Sequence, residues 1–352
     1  MRFRSHPSQT FNPAARQNFV RGERSFRAYL AGGNVHFLQD ASASFNRAVL
    51  QDKRFDLARF YLGVTQTQLR KTDESIPILE RLRDRGVELD GQVRMQLAYA
   101  HIKRYRQEDY SIAESELENV VRSASKRKRE GVRLQAQALQ VFLYSVMAGH
   151  LKDENHLKQE DQRRLYARRT LDLGQQVLNR VPLIQDQAIS RAAQFDVLNG
   201  MGIAWMRIAN AEWAGFEART TSWAMAQSYY DQALDLRPSA VVVLQNIGTM
   251  RLLQAERAEK TGDAAGASAF RADAERLYLR SIEMNDHDQF PFYRLAQIAV
   301  AAKKRQEALD YIQVGRTKSG AVKEEEWNKV LQEALMLPVV SAQKPTLAPA
   351  SS

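Results

Sequence analysis

The chain has 352 residues, of which 44% are hydrophobic and 26% charged, with a formal net charge of +10 and no cysteine. This composition suits a folded chain and excludes disulfide stapling as well as any cysteine-based zinc, redox or nucleophilic site. At this length one globular core is disfavoured against an elongated array whose units touch only their neighbours.

The opening MRFRSHPSQT has no apolar run of the signal-peptide kind. The most apolar stretch, Val141–Gly149, is far short of the roughly 20 residues that span a bilayer. A cytoplasmic chain with no membrane partner is the expectation.

Residues 1–20 form a flexible N-terminal segment in this reading, because Met1–Gln17 shows no periodicity. Ala41, Phe45 and Ala48 then stand four and three apart. Small residues at that spacing let two helices touch, and the aromatic between them fills the gap. The pattern recurs 34 residues on as Ser75, Leu79 and Leu82, preceded by Leu62 and Gly63 on a first helix. Pro77 lies in the first turn of its helix, where its missing N–H is harmless. Leu97 and Ala98 open a third hairpin whose second helix carries Ala113, Leu117 and Val120; the phase slips by three residues there, which predicts a longer inter-helix loop. Residues 21–123 are therefore three hairpins.

Residues 124–217 are a divergent helical region entered through the basic loop SASKRKREG. Gly131–Leu151 reads as a first helix and His156–Val181 as its partner, with Ala167 and Leu171 four apart. Ala188–Phe216 reads as an overlong first helix. Over 218–337 regularity returns: Ser222–Leu236 carries Ala226, Tyr230 and Ala233, Pro238 ends it, and Leu244, Asn246 and Gly248 follow. Val241–Lys260 pairs with Phe270–Met284, where Ala274 and Tyr278 match again. Leu295 and Ala296, then Ala308 and Ile312, form the last hairpin. A final helix, Lys323–Leu335, opens on three glutamates, favourable at the positive end of a helix dipole, and caps the array. The Pro-, Ala- and Ser-rich stretch 338–352 reads as a disordered tail. No segment alternates with period two, so strand is not expected.

The 34-residue recurrence of small, aromatic and small residues, with glycine or alanine on the preceding helix and Pro238 between hairpins, resembles the tetratricopeptide repeat (TPR) family. The resemblance covers 226–315 and 24–120 best. It implies an all-α, right-handed α-solenoid of about seven TPR-like helical hairpins with a C-terminal capping helix. It also implies a function, since proteins of that family mostly bind other proteins and rarely catalyse. Asn246 and Arg294 fall six residues into their repeats, where a carboxylate clamp of that family places an Asn and a basic residue. Asn199, Ile203 and Phe290 depart from the clamp pattern, so binding of a chaperone tail is not expected. Asn246 and Arg294 are the candidate partner-binding groove residues.

Residues 1–180 hold 32 Lys and Arg against 21 Asp and Glu, so the positive excess lies in the first half. Its peaks are Lys126, Arg127, Lys128 and Arg129 in the loop and Arg163, Arg164, Arg168 and Arg169 on the following helix, a candidate basic patch for acidic partners or phosphate backbones. Solvated arginine-rich helix faces are common, and no nucleic-acid motif accompanies the charge. Trp205, Trp213 and Phe216 are a candidate aromatic interface, weighed against a purely structural role in holding long helices together. The six histidines form no HExxH or other compact ligand set, and Gly200-Met201-Gly202 follows no strand, so neither a metal, a cofactor nor an enzymatic activity is expected.

The sequence thus predicts a non-enzymatic adaptor, scaffold or regulatory subunit. Its partner would be another protein, with an acidic segment fitting the basic half. A nucleic-acid-binding helical array is the alternative, and the regulatory subunit of an adjacent-gene enzyme such as a protease or toxin is a third reading.

Overall fold

The computed structural model describes residues 10–32, 34–83, 87–150, 156–211, 215–320 and 322–338. Among these the chain forms fifteen α-helices and no strand, apart from one isolated bridge between Asp288 and Ser319. Two compact units are present, one running to Asn285 and one starting at Asp286. The boundary falls inside the 218–337 segment that the repeat pattern groups together.

The first unit holds six hairpins: α1 (Pro13–Gly32) with α2 (Val35–Gln51), α3 (Asp56–Gln68) with α4 (Thr72–Glu80), α5 (Val87–Arg104) with α6 (Gln107–Lys126), α7 (Glu130–His150) with α8 (His156–Arg180), α9 (Gln187–Asn210) with α10 (Phe216–Leu236), and α11 (Val241–Lys260) with α12 (Ala264–Met284). Within each pair the two helices pack together, and each second helix also touches the next first helix. The small and aromatic positions read from the sequence are the inner contacts. Ala41, Phe45, Ala48, Ser75, Leu79, Ala113, Ala226, Tyr230, Ala233, Ala274 and Tyr278 all have no exposed surface.

Glycines on first helices explain this register. A Cβ on Gly202 would come 2.5 Å from the Tyr230 ring, and one on Gly248 would come 2.9 Å from Tyr278. Only hydrogen at those positions lets the aromatic of the second helix lie on the first helix's backbone. In α3–α4 the same place is filled by Leu79 against Gly63, at 2.7 Å.

Several boundaries differ from the sequence reading. The first helix begins at Pro13, inside the segment expected to be flexible, because Asn12 Oδ1 accepts from the N–H groups of Ala14 and Ala15 and Pro13 needs no such partner. The phase slip before Ala113 lengthens the helices, not the loop: α5 ends at Arg104 and α6 starts at Gln107. The predicted 188–216 helix stops at Asn210. Ala211 turns extended, at φ −67 and ψ 145, and the Arg219 guanidinium donates to the carbonyls of Ala209 (3.0 Å) and Ala211 (3.3 Å). Those bonds satisfy carbonyl groups at the helix end from a distant residue, which no local pattern announces. At α12 the start moves forward to Ala264, since Asp263 Oδ1 accepts from the Gly266 N–H at 2.8 Å.

The irregular middle has its own packing. Here two first helices, α7 and α9, pack directly along their lengths. Gly200 makes the approach, because a Cβ there would come 2.9 Å from Val141. Gly200 therefore faces α7 while Gly202 faces α10, and α9 is buried on several sides at once.

The second unit is the hairpin α13 (Gln289–Ala301) and α14 (Arg305–Arg316) covered by α15 (Glu324–Leu335). Asp288 caps α13 by accepting from Phe290 N at 3.1 Å. The α15 helix opens on Glu324, Glu325 and Glu326, and Glu326 Oε2 accepts from the Lys323 N–H at 3.0 Å. Its Trp327 is buried against Gly315 and meets Tyr293 edge-on at 5.4 Å. Small residues at Ala296 and Ala308 and the apolar Ile312 are buried in this unit as their spacing predicts.

Candidate partner-binding face

Each first helix of the larger unit buries one side in its hairpin and leaves another for contacts across hairpins. On α5, Tyr99 and Lys103 stand four apart and so share a face. The Lys103 ammonium lies 5.4 Å from the Tyr99 ring centre and 5.3 Å from that of Phe142 on α7. All three are half-buried. Tyr29 of α1 interacts electrostatically with Tyr99, and burial, more than that neighbour, pushes its phenol up.

On α9 the same strip continues through Phe195, Asp196 and Asn199. The Arg237 guanidinium, just after α10, sits 4.1 Å from the centre of the Phe195 ring. Burial pushes the Asp196 carboxyl up to about 6, although Arg237 and Lys103 both act to lower it. Asn199 is buried and its Oδ1 accepts from Asn246 Nδ2 of α11 at 2.8 Å. The strip therefore runs from α1 through α5, α7 and α9 to α11, with aromatic surface, charges of both signs and one amide pair.

The sequence-derived residues divide among several places. Asn246 lies on the strip, half-buried and bonded to Asn199. Arg294 belongs to the second unit, on α13. Its Nη1 donates to Gln297 Oε1 at 2.9 Å, and its guanidinium stacks near Phe290 (5.1 Å) and Tyr293 (5.8 Å).

The eight basic positions are spread along the α7–α8 hairpin. Lys126, Arg127, Lys128 and Arg129 are exposed in the turn between α6 and α7. That turn is ordered by backbone bonds, among them Arg129 N to Ala124 O at 2.9 Å, and Lys128 takes the left-handed conformation at φ 54. Cations there sit at the negative end of the α6 dipole. Arg163 and Arg164 line a cleft of about 210 Å³ with Arg207 and Glu160 at the other end of α7, and Arg163 Nη1 donates to Glu160 at 2.9 Å. A helix of 21 residues separates the two groups by about 30 Å. Arg168 and Arg169 are both exposed, and Arg169 also lies over the rings of Tyr144 and Tyr166 at 5.8 and 5.4 Å and 3.9 Å from Glu114.

The aromatic candidates also part company. Trp205 is half-buried and packs on the core beneath α9 and α10, the structural alternative. Phe216 is the first residue of α10 instead of the end of the preceding helix, and Trp213 lies outside the described residues.

Elsewhere, buried carboxylates are fully engaged in folding. Asp109 is buried and accepts from Arg104 Nε at 2.7 Å and pairs with His101 Nδ1 at 2.9 Å. Burial would raise its carboxyl, but those hydrogen bonds win and hold it below the usual range. Glu116 binds Arg94 at 2.6 Å and Arg83 at 3.1 Å. Among the described residues no three His, Asp or Glu side chains form a metal-binding group, and no helix is long and apolar enough to cross a membrane.

Hairpins with a glycine or alanine on the first helix seated against an aromatic or aliphatic of the second follow one another, so the described residues form an all-α array of helical hairpins, the fold that the tetratricopeptide resemblance implies. No family profile and no curated protein matches the sequence. Similar solved structures include the TPR2AB-domain:pHSP90 complex of yeast Sti1, at 12% identity and TM-score 0.30, covering 91% of this chain and 98% of that one. The human IFIT1 dimer with m7Gppp-AAAA is 13% identical with TM-score 0.37, over 87% of this chain and 68% of that one. Yeast Tom70 is 12% identical with TM-score 0.26, over 92% and 85%.

Proposed function

We propose that this chain is a non-enzymatic interaction scaffold that binds a segment of a partner protein along the strip from Tyr99 to Asn246. The observation that carries the reading is that Tyr99, Lys103 and Asp196 are half-buried along one strip, beside Phe142 at the edge of a hairpin core. Aromatic side chains with few rotatable bonds bind at low entropic cost, and interspersed polar groups set register. Asn246 presents the amide oxygen not used toward Asn199, and Arg294 offers a second contact on its own unit. The nucleic-acid reading has less support, because the basic positions are dispersed and several are used internally.

The test is an affinity purification from the native source, run with and without nuclease, comparing wild type with Tyr99→Ala/Asn246→Ala and with Lys126, Arg127, Lys128 and Arg129 all changed to Gln. A stoichiometric protein lost only from the strip variant supports the reading. Recovery of nucleic acid, abolished by the four glutamines, overturns it.

A further inference from the structure

The outward side of α1 carries charge that the fold does not use. Between Thr10 and Gly32 stand four arginines, no lysine and one acid, Glu23. Glu23 is half-buried and lies 3.8 Å from Arg27. Arg16, Arg21 and Arg24 are exposed, and among the described residues their side chains make no hydrogen bond or ion pair. Arg16, Val20 and Arg24 are four apart and form one stripe, with Gln17 and Arg21 beside it. Val20 is exposed in the middle of the stripe, and Phe11 stands fully in solvent at its end. These six residues line a groove of about 800 Å³ along the first half of α1. The later first helices of this unit, α3, α5, α7, α9 and α11, each pack against the second helix of the hairpin before them. On α1 no described helix takes that place. The α15 helix of the second unit shows what a solvated covering face looks like. There Glu324 pairs with Arg316 at 3.1 Å, Glu326 caps its own helix, and Lys329 stands exposed among the acids. The α1 face instead has arginine of one sign with exposed apolar surface between.

We infer that this face of α1 docks an acidic amphipathic helix of a partner protein, laid alongside α1 as the second helices lie on the later first helices. The occupant follows from charge and spacing. Arg16 and Arg24 are two turns apart, about 12 Å along the axis. A helix laid along α1 meets them with acidic residues about eight positions apart, and sets an apolar residue midway between these on Val20. Arginine suits this partner, because its planar fork takes a carboxylate through two parallel hydrogen bonds. Phe11 extends the apolar contact beyond Arg16. A phosphate backbone would use the arginines but gain nothing from Val20 at the centre of the stripe. The face lies on another side of α1 from Tyr29, so it adds a second contact to the scaffold and does not depend on the strip.

A phage-displayed library of helix-forming peptides of about 18 residues, panned against the purified full chain, tests this without a known partner. Recovered peptides should carry Asp or Glu about eight positions apart with an apolar residue midway. Titration calorimetry of a synthetic version should show affinity falling about tenfold or more on Arg16→Gln/Arg24→Gln, and little change on Tyr99→Ala. Arg24→Glu should abolish binding, and a peptide with Arg in place of the matching acid should restore it. Circular dichroism checks that the variants are folded. Binding that ignores the arginine pair or falls on Tyr99→Ala instead, a consensus without the paired acids, or recovery of no peptide overturns the inference. A uridine 20-mer and phosphatidylserine vesicles are the competing anions. If either binds more tightly than the selected peptide and is lost on Arg16→Gln/Arg24→Gln, the stripe belongs to nucleic acid or to lipid, and the inference fails.

Discussion

Replacing Gly202 with alanine sets two effects against each other. Alanine in a helix interior is favoured over glycine by about 1 kcal/mol, so an unconstrained site would gain stability. At Gly202 the new methyl group would lie 2.5 Å from one Tyr230 ring carbon and 2.7 Å from the next, and that ring has no exposed surface into which to retreat. Overpacking of a closed core costs roughly 1–3 kcal/mol, and the upper end applies where the obstacle is a trapped ring. The steric term wins, leaving Gly202→Ala destabilised by about 2 kcal/mol. Gly91 is the matched control. It lies inside α5, and a Cβ there would meet only Val132, at an ordinary 3.9 Å. Gly91→Ala should therefore stabilise by about 0.5–1 kcal/mol. Urea unfolding followed by circular dichroism gives both values, and hydrogen exchange should place the Gly202→Ala loss in α9 and α10. If Gly202→Ala matches or exceeds wild type, the glycine–tyrosine contact does not set the register of this hairpin.

Three further outcomes are expected. Because the Asp196 carboxyl titrates near 6 in the fold and lower when unfolded, the native state binds the extra proton. Its contribution to stability therefore falls as pH rises from about 4 to 6, so Asp196→Asn should exceed wild type by on the order of 2 kcal/mol at pH 8 and match it at pH 4; thermal melts across that range check it. Asp109→Ala should lose about 1–3 kcal/mol by leaving the buried His101 without its acceptor, while Arg104 keeps Asp73 at 3.1 Å. As the Asp109 carboxyl is held below its usual range, the contribution it makes is present above about 4 and fades as pH falls through its lower folded value, which a urea series at decreasing pH would reveal. Lys128→Gly should gain about 1 kcal/mol by relieving the left-handed conformation at φ 54, measured as a raised urea midpoint.

The hairpins were legible because their determinants are local. A small–aromatic–small triplet and a facing glycine specify which residues touch, and Ala226, Tyr230, Ala233 and Gly248 were all readable from spacing alone. What could not be read were interactions between residues distant in the chain. Arg219 ends α9 by reaching back to Ala209 and Ala211, and Asn246 is engaged by Asn199, 47 positions away. At Asn12 and Asp263 the helix start is set by a side-chain cap and not by apolar periodicity. The strip was half visible: Asn246 followed from the repeat register, while Tyr99 and Lys103 carried the signal of a four-residue spacing. Asp196 carried none, since an aspartate on a helix is ordinary until its surroundings are known. The basic positions show how far sequence neighbours can spread, for the two groups stand about 30 Å apart at opposite ends of α7.

The two glycines of α9 have a mechanical consequence. Tandem hairpins that meet only their neighbours behave as a chain of weakly coupled links, each able to open by itself. By facing α7 with Gly200 and α10 with Gly202, α9 ties the hairpins α7–α8 and α9–α10 into a single block. Drawn out from its ends in a single-molecule trap, the larger unit should not release its length in six equal steps. The outer hairpins should peel first at low force, and the stretch from Glu130 to Leu236 should then yield in one long extension at a higher force.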